Sequence, residues 1–428
     1  MLTVHWNGDR DEVEDFEFTY RSLMGAGDCD GVEDLPDKCI GALVMRSNVA
    51  KPQEVSADLG PSNRGLSPRL DHMADYVYSL TSFVRNPNLT PSPSADAVAG
   101  GKIFFSSISR CAECHNGPSA TNQHFSDKRP DPTYPIGTQG RPESPNPFIR
   151  HNVATFNAFD LVDPLEVASA IGQFQNGVLP IPGSRGELLD YVTPTLVDVW
   201  NTAPYNHDGD FASLLHGIFP CDTTLDPCGG PNTGKNLNDQ HGTTSNLTPR
   251  QLRQLEAFLL APHNASSGPV QAASPFTRLV RVTMRFGAGA ADDRLRVKAR
   301  FQVPVGVDFD LADLPAQALR FTLADVDPAL IERTIPVGGM TVNSAGTTAR
   351  FRDSQGLIAP GITGLSVKLR NAATREYELQ VKGKNMDLSQ LDKNHIAIAF
   401  ETDTAAFVKT RTFQQSSAKR TSLKVVER

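Results

Sequence analysis

Two cysteines and a histidine stand within five residues in the stretch SRCAECHNG, at Cys111, Cys114 and His115. A C-x-x-C pair followed directly by histidine is the attachment pattern of c-type haem, in which each thiol adds to one vinyl group of the porphyrin. The adjacent imidazole then binds the iron as its proximal ligand. A structural zinc site would need a second pair of ligands downstream, and a thioredoxin-like redox pair would need a β-α-β setting. The flanking sequence offers neither, so we predict one covalent haem c at this motif.

Two predicted helices bracket the motif. The segment SADAVAGGKIFFSS begins with Ser94 as N-cap and carries apolar residues on one face, which predicts an amphipathic helix that leads into the cysteines. Farther downstream, Thr248 caps a helix, Pro249 takes its first position, and its apolar stripe ends near Pro262. Because the first and last helices of c-type cytochromes pack across each other beside the haem, we predict a cytochrome domain over residues 91–264.

The segment TPTLVDVWNTAPYNHDG, residues 193–209, resembles a stretch of the bacterial dihaem cytochrome c peroxidase and MauG-like family. In that family the stretch follows the C-x-x-C-H of the C-terminal domain and wraps the haem, and the run GKIFFSSISRCAECHNG is similar to the family's entry to the haem. The resemblance implies a mainly α cytochrome fold, electron transfer as the function, and His207 as a residue of the haem pocket. It also implies calcium as a further candidate cofactor, held partly by the backbone carbonyls of Thr202 and Pro204.

The same family is built as two haem domains in tandem, and the start of this chain resembles the end of the first one. The run HWNGDRDEVEDF, from His5 to Phe16, is similar to the family's W-D-G-R stretch, and a cysteine pair and a capped helix follow it, as they do in the second domain. Residues 1–90 are therefore predicted to be a partial cytochrome half domain without its haem motif. We expect the native protein to extend upstream and to hold a second haem; the alternative is a degenerate half domain retained for packing.

The predicted location is periplasmic or extracellular, because haem c is attached outside the cytoplasmic membrane in bacteria. The first thirty residues show no signal-peptide pattern, and no run of eighteen apolar residues predicts a membrane span. In an oxidising compartment, Cys29 with Cys39 and Cys221 with Cys228 are interpreted as disulfides, against the alternative of four buried thiols. The net charge of −7 argues against a nucleic-acid partner. We expect a redox partner protein or a small electron donor.

The sixth iron ligand decides between an electron carrier and a reactive haem, because a strong second ligand keeps peroxide and oxygen from the iron. The family places a methionine at the position that Cys221 occupies here, and no methionine stands between Met73 and Met284. His241, Cys221 as a thiolate, His207 and an open site are the alternatives. We favour His241, which stands shortly before the downstream helix.

The helical periodicity ends past residue 265. A linker rich in small residues and proline, residues 265–278, leads into segments that alternate apolar and polar residues, such as RLRVKARFQV at 294–303. Turn residues separate these segments, which predicts an all-β accessory domain of the immunoglobulin-like sandwich type over residues 279–428. Its carboxylates are scattered and its single histidine, His395, stands alone, so no catalytic constellation is indicated.

The 428 residues are thus predicted to form a multidomain protein, with mainly α cytochrome domains followed by a β-sandwich, that transfers electrons through one haem. A peroxidase or haem oxygenase acting at a five-coordinate haem is the enzymatic alternative, because the methionine ligand is missing. In a third hypothesis the β domain binds a surface or a polymer and carries the cytochrome as a passenger.

Overall fold

A computed structural model describes most of the chain from Pro68 onward. The described residues are 68–80, 85–116, 120, 125–126, 129–130, 150–151, 191–206, 209, 211–221, 234–237, 239, 241–265, 268–287, 289, 291–325, 330–389, 391, 395–412 and 422–425. The chain divides into two compact units, the first made of Met1–Pro87 and Ala112–Asn201 and the second of Asn88–Cys111 and Thr202–Arg428.

Short elements make up the described part of the first unit. They are helix α1, Pro68–Ser79; the antiparallel pair β1, Phe125–Ser126, and β2, Arg129–Pro130; the antiparallel pair β3, Arg150–His151, and β4, Tyr191–Val192; and a one-turn 3-10 helix, Val199–Asn201. Helix α1 is the helix predicted to follow the first cysteine pair. The half-domain features predicted around His5 lie outside the described residues.

Four further helices are described after α1. They are α2, Ala95–Phe104; α3, Cys111–Cys114; α4, Leu214–Ile218; and α5, Pro249–Leu260. Ser94 caps α2 by accepting the amide of Ala97 at 3.0 Å, and Thr248 caps α5 in a reciprocal capping box with Gln251. Both predicted caps are confirmed. Within the described residues, no helix combines the length and apolarity needed to cross a membrane.

Helices α2 and α5 pack against each other at close range. A Cβ placed on Gly100 would overlap the carbonyl oxygen of Gln254, so this approach requires glycine. The rings of Phe104 and Phe258 lie 5.1 Å apart beside it, and Nε2 of Gln254 donates to Asp96 at 3.2 Å. The two helices that the sequence predicts to cross are therefore in contact, although 144 residues separate the end of α2 from the start of α5.

The chain past α5 forms a single eleven-stranded sheet. Two short strands precede it and pair in parallel, β5, Pro220–Cys221, and β6, Asn236–Leu237. The sheet strands are β7, Ser274–Arg285; β8, Asp293–Gln302; β9, Leu319–Ala324; β10, Leu330–Ile335; β11, Thr341–Val342; β12, Thr348–Arg352; β13, Ile362–Asn371; β14, Glu376–Met386; β15, His395–Glu401; β16, Ala406–Thr412; and β17, Ser422–Val425. A one-turn 3-10 helix, Leu314–Ala316, precedes β9.

The spatial order of the sheet is β10-β9-β15-β16-β7-β8-β14-β13-β12-β11, with β17 also paired to β7. Strand β7 joins the two halves. Its first residues, Ser274 and Pro275, pair in parallel with β16, whereas its remainder pairs antiparallel with β8 through two register shifts. Such bulges bend and twist a strand. The sheet consequently curls around one apolar core, in which the rings of Phe301 and Phe407 lie 4.1 Å apart.

The predicted fold class is wrong. Among the described residues, those in strands outnumber those in helices, so the chain is mainly β and not mainly α. The α prediction was derived from the resemblance, and between residues 116 and 214 the described elements are short strand pairs and a single helical turn. The predicted β-sandwich is loosely consistent with these strands, but β7 is long enough to pair in both halves, so they are joined in one continuous, curled sheet.

Charged side chains connect α5 to the sheet within the second unit. The guanidinium of Arg250 lies 3.9 Å from the carboxylate of Glu332 on β10. One turn farther along α5, Arg253 donates to the carbonyl oxygen of Asp325 at 3.2 Å, just after β9. Helix α5 and the sheet therefore belong to one compact unit.

Candidate functional site

A serine-rich turn after α2 leads to Cys111. The hydroxyls of Ser106 and Ser109 donate to the carbonyl oxygen of Ile103, at 2.7 and 2.5 Å, and so satisfy an acceptor at the end of the helix. Arg110 then adopts a left-handed backbone conformation with a φ of 60°. This change of direction ends the turn and begins α3 at Cys111.

The three residues of the C-x-x-C-H motif are all described. Cys111 and Cys114 are half-buried thiols at the two ends of α3, and residues three apart share one face of a helix. Nδ1 of His115 lies 3.1 Å from the carbonyl oxygen of Ala120. Because a carbonyl only accepts hydrogen bonds, the imidazole proton is on Nδ1, and Nε2 carries the lone pair that a metal takes. This donor set, two thiols and an imidazole with its proton on Nδ1, fits haem c.

A segment distant in sequence, which contains Gly242 and Thr243, contacts the first cysteine and the turn before it. The backbone amide of Thr243 donates to the carbonyl of Ser109 at 2.8 Å. Gly242, with a φ of 78°, faces the sulfur of Cys111, and a Cβ built on it would lie 3.4 Å from that sulfur and 3.2 Å from the Ser109 oxygen. Both the backbone conformation and the space favour glycine here.

The side chain of Asn236 makes three hydrogen bonds that hold this segment in place. It is fully buried, and its Nδ2 donates to the carbonyl of Gly242 at 2.8 Å and to the hydroxyl of Thr244 at 2.6 Å. Its Oδ1 accepts the backbone amide of His241 at 2.8 Å. No motif or periodicity in the sequence marks Asn236 as part of this site. The glycine directly after the candidate ligand His241 was the one available signal that this segment makes a close contact.

The candidate sixth ligand, His241, lies in the same unit as Cys111. Its partly buried imidazole loses solvation, which lowers the pKa of the ring, and a hydrogen bond with the backbone of Gly217 opposes that effect. A histidine whose pKa lies below its usual value is neutral at pH 7. Neutral imidazole is the form that binds iron.

Cys221 is withdrawn as a candidate ligand. It is 4% exposed and disulfide-bonded, so it offers no thiolate. The predicted partner Cys228 lies outside the described residues, as do Cys29, Cys39 and the pocket candidate His207. Their pairings and the role of His207 stay predictions.

Thr202 and Pro204, the candidate calcium carbonyls, are exposed residues of the second unit. Across the described part of the chain, no group of three or more His, Cys, Asp and Glu side chains is arranged to hold a metal ion. The calcium site stays a prediction of the family resemblance.

Tyr205, in the segment that resembles the peroxidase family, pairs with Phe211 shortly after that segment. Tyr205 and Phe211 exchange two backbone hydrogen bonds, of 2.8 and 3.2 Å. Glu256 of α5 interacts with the Tyr205 phenol: burial is the main cause that raises the pKa of Tyr205, and the charge of Glu256 adds to it. Burial also raises the pKa of Glu256, against the opposing effects of Arg253 and the amide of Leu215. Tyr205 therefore lies next to a carboxyl group that gains a proton more readily than a solvent-exposed glutamate.

One curated relative resembles part of the chain. Hydrazine synthase subunit gamma from Kuenenia stuttgartiensis is 29% identical over 198 residues, which are 45% of this chain and 48% of that protein. The chain thus spans about half the length of this relative. No protein-family model matches the chain. No solved structure matches it either.

Proposed function

We propose that this chain is a c-type cytochrome that transfers electrons through one haem attached to Cys111 and Cys114, with His115 as the proximal ligand. The observation that carries the proposal is the hydrogen bond from Nδ1 of His115 to Ala120, which sets the tautomer that iron requires directly beside the two thiols. When bound, the haem supplies a one-electron couple. The protein's own residues anchor the porphyrin, orient the imidazole and surround the anchoring sulfur.

The surroundings of Cys111 support a site that excludes water on one side. The Ser109 carbonyl accepts the amide of Thr243, Gly242 faces the Cys111 sulfur, and the buried Asn236 donates to the carbonyl of Gly242. The crossing of α2 with α5 and the stretch over residues 193–209 support a relation to the dihaem cytochrome c peroxidase and MauG-like family. Covalent attachment of haem c implies a periplasmic or extracellular location.

His241 is our candidate for the sixth ligand. It is neutral at pH 7, its backbone is fixed by Asn236, and it is adjacent to the glycine that faces Cys111. The disulfide at Cys221 removes the thiolate alternative. A six-coordinate haem favours electron transfer over reaction with peroxide, which is the enzymatic alternative.

The similarity to hydrazine synthase subunit gamma supports a second candidate role, as one subunit of a larger enzyme. That relative is named as a subunit, and this chain matches about half of it. Under this reading the redox partner is a protein in the same assembly, and the native protein elutes from size exclusion together with other chains.

Haem attachment is tested on the purified chain after expression with a bacterial haem c maturation system. The pyridine haemochrome assay should give one covalent haem per chain. Cys111→Ala and Cys114→Ala should each retain haem through one thioether, with the absorption band displaced toward that of a haem with one unreacted vinyl group. Ser106→Ala, in the preceding turn, is the matched control and should keep the wild-type band. A chain that matures without covalent haem contradicts the proposal.

The choice between electron carrier and enzyme is tested by the optical spectrum of the same sample, with carbon monoxide and then peroxide added. A low-spin spectrum in both oxidation states, unchanged by either ligand, supports electron transfer. A high-spin spectrum with carbon monoxide binding and peroxide turnover overturns it in favour of a peroxidase.

A further inference from the structure

One face of the β sheet carries a concentrated positive charge. Six cationic side chains occupy outward positions on three neighbouring strands, β7, β8 and β14. We call them the basic face: Arg281, Arg285, Arg294, Arg296, Lys382 and Lys384. Strand β8 alternates buried residues with exposed or half-buried ones along its whole length, so its arginines lie on the side opposite the apolar core. Five of the six are exposed and Lys384 is half-buried.

The strand register places five of these cations directly opposite one another. Arg294 is the cross-strand partner of Arg285 on β7 and of Lys384 on β14, and Arg296 is the partner of Lys382. Like charges in such positions destabilise a sheet. In the described part of the chain, no ion pair involves any residue of the basic face. The repulsion is therefore left without a described carboxylate to offset it.

The other end of the same strands shows the opposite arrangement. Glu378 on β14, with a side chain 1% exposed, accepts a hydrogen bond from Arg370 at 2.6 Å and lies 3.2 Å from the ammonium group of Lys298. Glu376, also on β14, lies 3.4 Å from Arg300. This sheet can thus pair its cations with a carboxylate, and among the described residues such ion pairs occur at this end and not with the basic face.

The charge is segregated along the chain as well. Residues 274–428 hold 23 Lys and Arg against 16 Asp and Glu, a net charge of +7, whereas residues 1–273 hold 18 against 32, a net charge of −14. The basic face therefore does not reflect the composition of the whole protein, which has a net charge of −7. Local concentration of one sign of charge raises the local concentration of ligands of the opposite sign.

We infer that the basic face binds a linear anionic polysaccharide through its sulfate or carboxylate groups. Four of its six cations are arginines, whose guanidinium groups bind such anions in a bidentate manner. The polymer charges would lie among the opposed cations and remove the repulsion between them. This inference goes beyond electron transfer and does not depend on haem.

The chemistry of the face disfavours other polyanionic partners. The outward positions of β8 and β14 hold no aromatic or aliphatic side chain, so these two strands lack the stacking platform of single-strand binders, the apolar anchors of a membrane surface and the apolar centre of a protein interface. All three strands are paired on both sides, so none of them projects to enter a groove of duplex DNA. Ionic contact with a flexible carbohydrate chain needs none of these features.

The inference is tested with the full chain and heparin as the sulfated polysaccharide, by titration at several salt concentrations. The test variant is Arg296→Gln with Lys382→Gln, an opposed pair of the face. The matched control is Arg85→Gln with Lys102→Gln, two exposed cations outside the sheet, which changes the net charge equally. The face variant should bind heparin about tenfold more weakly, with a log–log salt slope shallower by about two. The control should change the affinity less than about twofold.

Two results would overturn the inference. One is an equal loss of heparin affinity in both double variants, which would show that binding depends on the net charge of the protein and not on the basic face. The other is tighter binding of duplex DNA or of phosphatidylserine vesicles than of heparin at the same ionic strength. Arg296→Lys with Lys382→Arg keeps the charge at both positions and should retain binding, which separates the loss of contacts from any loss of fold. Haem content is measured in every sample, so a failure here is distinct from a failure of haem attachment.

Discussion

Gly242 faces the sulfur of Cys111, and a Cβ built on it would lie 3.4 Å from that sulfur. The two residues are far apart in the chain but lie in one compact unit. The contact joins the thiol that anchors the proposed haem to the segment that carries the candidate sixth ligand. Substitutions in this segment should therefore affect both stability and the haem environment.

Replacing Gly242 with alanine should destabilise the protein for two reasons. Alanine is strained at a φ of 78°, and its Cβ would press on the Ser109 oxygen at 3.2 Å. We expect a loss of about 2–3 kcal/mol in the free energy of unfolding, measured by chemical denaturation, and a lower yield of covalent haem. Gly338→Ala is the matched control, because Gly338 has a φ of 81° and nothing within 4 Å of its Cβ position. Equal losses in the two variants would show that the contact with Ser109 and Cys111 has no energetic role.

Asn236→Ala should remove the support of the same segment. The substitution leaves the carbonyl of Gly242 and the amide of His241 without their hydrogen bonds in a partly buried place, which we expect to cost about 2–3 kcal/mol in thermal or chemical unfolding. Asn343→Ala is the control, because the exposed Asn343 accepts the amides of Thr347 and Thr348 at 2.9 and 2.8 Å where water can replace it. The control should cost less than about 1 kcal/mol. A cost for Asn236→Ala as small as that of the control would contradict this account.

His241→Gln should change the spin state of the haem-loaded protein. Loss of the sixth ligand should convert a low-spin spectrum to a high-spin one and allow carbon monoxide to bind, while the covalent haem content stays at the wild-type value. His216→Gln is the control. His216 is a buried histidine of the same unit, and its Nδ1 lies 2.8 Å from the hydroxyl of Ser213. A low-spin spectrum that survives in His241→Gln assigns the sixth position to another residue.

Glu378→Gln should show a pH-dependent loss of stability. Burial opposes ionisation of Glu378, but hydrogen bonds from Arg370, Gln380 and Lys298 outweigh it and hold the pKa of this carboxyl below 4.5. An acid whose pKa is lowered on folding stabilises the protein above its unfolded pKa, and that contribution is lost as the pH falls through the folded pKa. Near pH 7 the variant should be about 2 kcal/mol less stable than wild type.

The difference between Glu378→Gln and wild type should decrease as the pH falls below 4.5, which unfolding curves at neutral and acidic pH would reveal. Glu376→Gln is the control on the same strand, since its carboxylate is 31% exposed and a partly exposed ion pair contributes little. A difference between Glu378→Gln and wild type that is constant with pH would show that the carboxylate charge is not the stabilising feature.

The parts of the structure that the sequence predicts are those with local causes. Thr248 and Pro249 begin α5 because a cap and a proline act within one turn, and Ser94 begins α2 for the same reason. The alternation of residues 294–303 predicts β8 because buried and outward positions follow one another along a strand. The candidate haem site is also predicted from neighbouring residues, because its two thiols and its imidazole stand within five positions of the chain.

The parts that could not be predicted depend on contacts between distant residues. Nothing near Asn236 in the sequence shows that its side chain will hydrogen-bond to the backbone of Gly242 and His241. These residues meet only because the loop between them folds back. The sheet continues through β7 because Ser274 and Pro275 pair with β16, which comes more than a hundred residues later. The mainly α prediction was wrong because a family resemblance extended helical structure to segments that have no apolar stripe of their own.

The second unit consists of two separate stretches of the chain, so its parts emerge at different times during synthesis. Its first part, Asn88–Cys111, is separated from the remainder by the 90 residues of Ala112–Asn201. At about 5–20 residues per second, the first part waits roughly 5 to 18 seconds before the next part of its own unit emerges, and longer before Gln254 arrives to pack against Gly100. During that interval the thiol of Cys111 lacks the cover of Gly242, so it is accessible to other chemistry in the nascent chain.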